Sequence, residues 1–219
     1  MTLALGVDGF GAKWVVAAVD GDQLADVWVV ERLDELPTAQ IVGVDMFVAL
    51  GRSGPRQVDR WCRREVGKLS SSVFNAPPRR IVTDSSLHTY DEVRAALDPS
   101  WPGISRQTWG LIPKIREVRA LALARPGRVF ECHPEVCFAR LSGSALSHRK
   151  RTWAGQRRRF EILDAAGIDL SAAELPGVAD CPVDDVLDAI VVAHVAAGYL
   201  SGRSALLPRG AGAQVLAPA

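Results

Sequence analysis

Short apolar runs separated by glycine turns open the chain. Residues 3–8 read LALGVD, residues 14–19 are apolar again, and residues 24–30 supply a third run rich in β-formers. Gly9, Phe10 and Gly11 break the first pair of runs, and Asp20, Gly21 and Asp22 break the second. Turn residues at these intervals predict an antiparallel three-stranded meander. After a segment with room for a short helix at residues 34–40, the stretch IVGVD at 41–45 repeats the first run, a brief apolar strand ending in a carboxylate. A strand that returns through a crossover most readily lies parallel to its predecessor. Setting the fourth strand beside the first brings Asp8 and Asp45 out at the same carboxyl edge, where open α/β sheets hold their ligands.

From about residue 51 to 125 the pattern turns helical and loop-rich, with helices expected at 55–67, 88–97 and 111–124, bounded by Pro, Gly and Ser. This stretch reads as an insertion after strand 4. Residues 70–80 and 98–105 carry too much Pro and Ser for helix interiors. RVFEC at 128–132 predicts a fifth strand, and His133 with Pro134 starts a helix through Leu141. A basic helix runs over 152–166, with Thr152 as N-cap and Gly167 as its stop. The last strong helix begins at Pro182 and continues to about Leu200. The reading is a single domain over residues 1–207, followed by a flexible tail at 208–219.

Composition narrows the classes. The chain has 219 residues, 48% hydrophobic and 23% charged, with 26 Lys and Arg against 25 Asp and Glu. That is enough for a sizeable core without disulfides or structural metal. The opening MTLALGVDGF lacks a basic region, which predicts no secretory leader, and no apolar run approaches the ~20 residues of a membrane span. Cys62, Cys132, Cys137 and Cys181 form no C-x-x-C pair. They are expected to be buried thiols in a cytoplasmic protein.

The carboxylates carry the chemistry. Asp185 and Asp188 are three apart and share one face of the final helix, whereas Asp184 points roughly 100° away from Asp185. Acidic residues favour helix N-termini through the macrodipole alone, but Asp188 stands where the almost wholly apolar stretch 189–197 begins. Asp8 also suits a turn cap; Asp45 is followed by Met46, Phe47 and Val48, where an unpaired charge is costly. Acids from separate segments at the ends of buried elements call for a cation. Hard oxygen donors favour Mg²⁺ or Mn²⁺ over zinc, and two such ions suit phosphodiester hydrolysis. Glu131 and His133, two apart in ECHPE, are candidates for a further ligand and for proton transfer.

Local basic clusters occur at Arg56, Arg60, Arg63 and Arg64, at Arg79 and Arg80, and from Arg149, Lys150 and Arg151 to Arg157, Arg158 and Arg159. Of these, Arg79, Lys150 and Arg151 are the candidate phosphate contacts. Trp101 and Trp109, in loop-like surroundings, could stack bases, although tryptophans more often belong to the core.

The motifs VDGFGAKW (7–14), VDMFVAL (44–50), SSVFNAPPR (71–79), ECHPEVCFARLSG (131–143), RKRTWAGQRRR (149–159) and DDVLDA (184–189) together resemble the predicted ribonuclease H-like nucleases catalogued as domain of unknown function 429. The resemblance covers nearly the whole chain. It implies an α/β fold with a ribonuclease H-like mixed five-stranded sheet in the order 3-2-1-4-5, flanked by helices. It also implies acids on the first strand, the fourth strand and the final helix, places that Asp8, Asp45 and either Asp185 or Asp188 occupy. DVLDA is similar to the acidic helix of Holliday-junction resolvases as well. One departure is Met46, Phe47, Val48 and Ala49, where the family usually shows an Ile-Pro-Ile-Gly-like stretch.

The expectation is a divalent-metal-dependent nuclease or related phosphodiester hydrolase acting on nucleic acid. Asp8, Asp45, Glu131, Asp185 and Asp188 are its candidate ligands and His133 assists proton transfer. Two rivals stand beside it. DGFGAK (8–13) looks like the first phosphate loop of the actin and sugar-kinase superfamily, which would make the chain an ATP-dependent phosphotransferase-like protein. A binding module for nucleic acid that keeps its acids for structure is the other.

Overall fold

Strands whose side chains alternate between two covered faces fix the layers of this molecule. In the computed structural model, which describes residues 3–52, 54–99, 101, 103–170, 175–210 and 212–219, strand β1 (Leu3–Phe10) turns back into β2 (Lys13–Asp20), and β3 (Gln23–Val30) continues the meander. Gly11 closes the first turn at φ 53°, a conformation that favours glycine. β4 (Ile41–Val44) then pairs with β1 in parallel.

The chain next forms α1 (Gln57–Val66), α2 (Arg79–Thr83), α3 (Tyr90–Ala96), α4 (Arg106–Gly110) and α5 (Ile112–Ala124). β5 (Val129–Glu131) joins β4 in parallel and completes a mixed sheet in the order β3-β2-β1-β4-β5. α6 (Pro134–Leu141), α7 (Trp153–Ala165) and α8 (Val183–Leu200) follow, and β6 (Ser204–Leu207) with β7 (Val215–Pro218) forms a separate hairpin. The α/β architecture and the strand order fit the expected ribonuclease H-like sheet.

Two cores flank that sheet. Leu5 and Val7 of β1, with Val42 and Val44 of β4, pack with Ile115, Val118 and Leu121 of α5. Ala4 and Ile41 instead pack with α8, from Leu187 to Ala197. Period-two alternation therefore puts Gly6 and Asp8 of β1, and Gly43 with the following Asp45, on the α8 side. Gly6 and Gly43 are partners in the β1–β4 register. A Cβ on Gly6 would run into the α8 backbone at Ala189 and Ala193, and one on Gly43 would press on Val192. The paired glycines let α8 lie directly on the strands. Two residues further along each strand, on the same face, the acids meet the first turns of the same helix.

Several expectations need correction or refinement. The stretch 51–125 lies between strands β4 and β5 as expected and also packs on the sheet, with α5 covering one face and Val58, Cys62 and Val66 of α1 entering the core on the other. Among the described residues, Ile81, Val93, Ile104 and Ile112 form a satellite cluster apart from the sheet. Residues 34–40 hold just the end of a 3-10 turn, Leu33–Glu35, and a 3-10 helix, Gly67–Ser72, runs from the end of the expected 55–67 helix into the expected loop at 70–80. The expected loop at 98–105 lies partly outside the described residues. The segment 208–219 is not a frayed tail: Val215, Leu216 and Ala217 are fully buried in β7, and Leu216 bridges Cys132 beside β5. Three consecutive apolar residues there bury enough surface to hold the chain down, despite the glycines before them.

Candidate metal centre

Register brings the acids together. Asp45 donates its backbone N–H to the Val7 carbonyl at 2.9 Å, which extends the β1–β4 pairing and sets Asp45 beside Asp8. Asp188 comes from the second turn of α8, the helix seated on Gly6 and Gly43. One carboxylate oxygen from each of Asp8, Asp45 and Asp188 lies within 4.8 Å of the other two. At that spacing each pair of charges repels by about 3 kcal/mol at an effective dielectric near 20.

The consequence appears in their acidity. Burial, then the charges of Asp45 and Asp188, raises Asp8 well above the ordinary carboxylate range. Burial raises Asp45 to about 7 against the opposing pull of Lys150, with Glu131 and Glu135 adding to the rise. Asp188 is also pushed up to about 7 by burial, again opposed by Lys150. Such a cluster is suited to a cation that displaces protons.

The oxygens available fit a hard divalent ion. The Oδ1 atom of Asp188 is buried without any hydrogen-bond partner, and the residue is only 1% exposed. A buried carboxylate oxygen left without a donor costs free energy unless an ion meets it. The three donors are all carboxylates, with no thiolate or imidazole among them. Asp8 keeps one oxygen committed to the Gly9 N–H at 2.7 Å, which orients it at the end of β1.

Other expected ligands are placed elsewhere. Asp185 is outside the trio, with its side chain 13% exposed and Oδ1 4.0 Å from Lys150 Nζ. Burial and the neighbouring Asp184 raise its pKa above the ordinary carboxylate value. Glu131 does not join the cluster as a ligand. Its Oε1 and Oε2 accept from Arg56 Nη2 and Nη1, each at 2.7 Å, and Oε2 also accepts from the Val48 N–H at 3.0 Å. Arg56 in turn bonds Asp59 and the Ala49 carbonyl and lies 4.9 Å from the Phe47 ring centroid. This buried network fixes the strand-4 exit, including the residues that depart from the family pattern.

His133 stands at the N-cap of α6, and burial lowers its pKa below the ordinary histidine value, so it is neutral near pH 7. Its Nδ1 is buried without a hydrogen-bond partner. Arg79 is exposed in the first turn of α2 and makes no ion pair with a described acid. Lys150, expected to face a phosphate, turns inward instead: Nζ lies 2.5 Å from Asp188 Oδ2 and 3.5 Å from Asp184 Oδ2. Arg151 stays at the rim, its side chain 79% exposed, with Nε 3.0 Å from Asp184 Oδ2. That bond, with the nearby lysine, outweighs burial and holds Asp184 below the usual carboxylate range.

Sequence reasoning missed what anchors Lys150. Arg159 of α7 is fully buried and donates Nη2 to both oxygens of Glu135 on α6 at 2.6 Å. Its Nη1 bonds the Gly155 carbonyl at 2.8 Å, and its guanidinium lies 5.4 Å from the Phe138 ring centroid. A Cβ at Gly155 would strike the Arg149 carbonyl, so glycine lets the 149–151 loop close on α7. Thr152 completes the turn by accepting the Gly155 N–H at 3.1 Å. The RKRTWAGQRRR motif is thus a device that presents Lys150 to the acids.

The two tryptophans in loop-like surroundings follow the core reading and not the stacking one. Trp101 is 7% exposed and Trp109 packs against Tyr90, whereas Trp153 is 80% exposed at the start of α7. Lys13 of DGFGAK pairs with Glu31 at 2.6 Å. The described residues contain one five-stranded sheet, so the second, similar domain of an ATP clamp has no counterpart among them. No helix among the described residues is long and apolar enough to cross a membrane.

Comparison with known proteins adds one match. The family model described as protein of unknown function (DUF429) covers residues 6–212. No curated protein and no solved structure matches the chain.

Proposed function

The chain belongs to the DUF429 family, and from the centre described above we propose that it is a divalent-metal-dependent hydrolase of phosphodiester bonds in nucleic acid. The observation that carries this reading is the convergence of Asp8, Asp45 and Asp188, with Asp188 Oδ1 buried and partnerless among them. These residues would hold Mg²⁺ or Mn²⁺. When bound, the metal supplies Lewis-acid polarisation of a phosphoryl oxygen and a more acidic water.

The protein's own groups supply the rest. Asp8 and Asp45, fixed by the Gly9 N–H and the Val7 carbonyl, keep the ligand oxygens in place without side-chain reorganisation. Lys150 neutralises one oxygen of Asp188 and so limits repulsion of an approaching phosphate. His133, neutral and beside the cluster, is a base in reserve for proton transfer. A nucleic-acid substrate is supported by the surface that leads away from the acids. Arg151 is at the rim, and beyond it Trp153, Gln156, Arg157 and Phe160 line a shallow hollow along α7. Exposed aromatic rings among guanidinium groups suit stacked bases and a phosphate backbone. With all four cysteines free, we read the enzyme as cytoplasmic.

The test is cleavage of labelled single- and double-stranded DNA and RNA by protein stripped with EDTA and then supplied with Mg²⁺ or Mn²⁺. Metal-restored cleavage that is lost in Asp8→Asn is expected. Cleavage that ignores EDTA would overturn the reading. The non-catalytic alternative draws support from Lys150, which partly balances the acids without metal; nucleic-acid binding unaffected by both EDTA and Asp8→Asn, with no cleavage, would favour it.

A further inference from the structure

Asp188 is divided between two environments. Its Oδ2 is held by Lys150 Nζ at 2.5 Å, while its Oδ1 is buried with no partner. The same ammonium lies 3.5 Å from Asp184 and 4.0 Å from Asp185, so it spans every carboxylate at the start of α8. Lys150 is not a mobile surface lysine. The loop that carries it is closed on α7 at Gly155 and tied to α6 through Arg159 and Glu135.

Charge sets how many ions the centre can take. Five aspartates gather here: Asp8, Asp45, Asp184, Asp185 and Asp188. Three basic groups face them, Lys150 and Arg151 directly and Lys114 at longer range toward Asp8 and Asp185. Two negative charges remain, which one divalent ion balances. A second ion on Asp188 Oδ2 would have to expel the ammonium from a contact supported by three carboxylates, or sit against it.

We propose that the centre takes a single divalent ion among Asp8, Asp45 and Asp188 Oδ1, and that Lys150 fills the place on Asp188 Oδ2 that a second ion would need. Lys150 is therefore a positioning residue that sets the stoichiometry, and it replaces the expected pair of ions with one ion and one ammonium. This inference rests on the metal-dependent reading above.

Mn²⁺ binding to the full chain, counted by calorimetric titration and by electron paramagnetic resonance of free Mn²⁺, tests it. Wild type should bind one ion per chain. Lys150→Met, which keeps the length and removes the charge, should bind two, and Lys150→Arg should bind one. Circular dichroism checks that each variant is folded; if Lys150→Met is not, Lys150→Gln takes its place. Two ions in wild type would overturn the inference and leave the metal-dependent reading standing. One ion in both wild type and the neutral variants would overturn the exclusion by Lys150. No bound ion in wild type would sink the metal-dependent reading itself.

Discussion

Replacing Asp45 by Asn is expected to change stability with a pH dependence that packing alone does not produce. The ordinary value of this carboxyl is 3.8, and in the fold it stands at about 7. Between those values the folded chain keeps a proton that the unfolded chain has released. Stability contributed by this group is therefore complete below the unfolded value and is lost as pH rises to about 7, after which it is level. A pH unit within the window corresponds to about 1.4 kcal/mol, so between pH 5 and 8 the wild type loses about 3 kcal/mol through this one group.

Asn has no charge at either pH and escapes that loss. Asp45 is partly exposed, which trims the difference to about 2–3 kcal/mol, or roughly 4–10 °C in melting temperature for a domain of this size. Thermal melts in EDTA at unit pH steps from 5 to 8, followed by circular dichroism, read it directly. The variant should gain on wild type from pH 5 to about 7 and level off above it, and Mn²⁺ at pH 8 should raise the wild-type melting temperature while leaving the variant nearly unchanged. A difference that stays flat with pH, or grows in the opposite direction, would refute the electrostatic argument.

Three other substitutions separate the parts of the structure. Arg159→Met leaves Glu135 buried and uncompensated, and urea unfolding should show a loss of about 3–5 kcal/mol. Gly6→Ala drives a methyl group into the α8 backbone; a loss of at least about 1–3 kcal/mol is expected, together with weaker Mn²⁺ binding as α8 moves from the strands. Trp153→Ala should weaken binding of a single-stranded oligonucleotide roughly tenfold in a fluorescence anisotropy titration, with unchanged Mn²⁺ affinity.

Much of the centre was legible because two short strands share a pattern. LALGVD and IVGVD place glycine two residues before aspartate in both β1 and the strand-4 exit, and period-two alternation puts all four residues on one face. The choice between Asp185 and Asp188 was open in the sequence, since both stand on one face of the helix and only tertiary packing turns Asp188 inward. Lys150 was not legible. In RKRTWAGQRRR the basic residues look alike, and which one turns inward depends on the close fit of Gly155 and on Arg159 reaching a glutamate on another helix. Glu131 was misjudged for the same reason, since its partner Arg56 lies 75 positions away. The terminal strand was hidden by its glycine-rich approach, because its pairing with β6 and burial beside β5 are long-range contacts that local composition does not report.

The claim on which the account turns is that Asp8, Asp45 and Asp188 converge to bind one divalent ion. Anomalous diffraction from crystals soaked in Mn²⁺ tests it most directly. The account predicts one strong peak at coordination distance from a carboxylate oxygen of each of the three residues. A peak at other residues, or none at this cluster under saturating Mn²⁺, would contradict it.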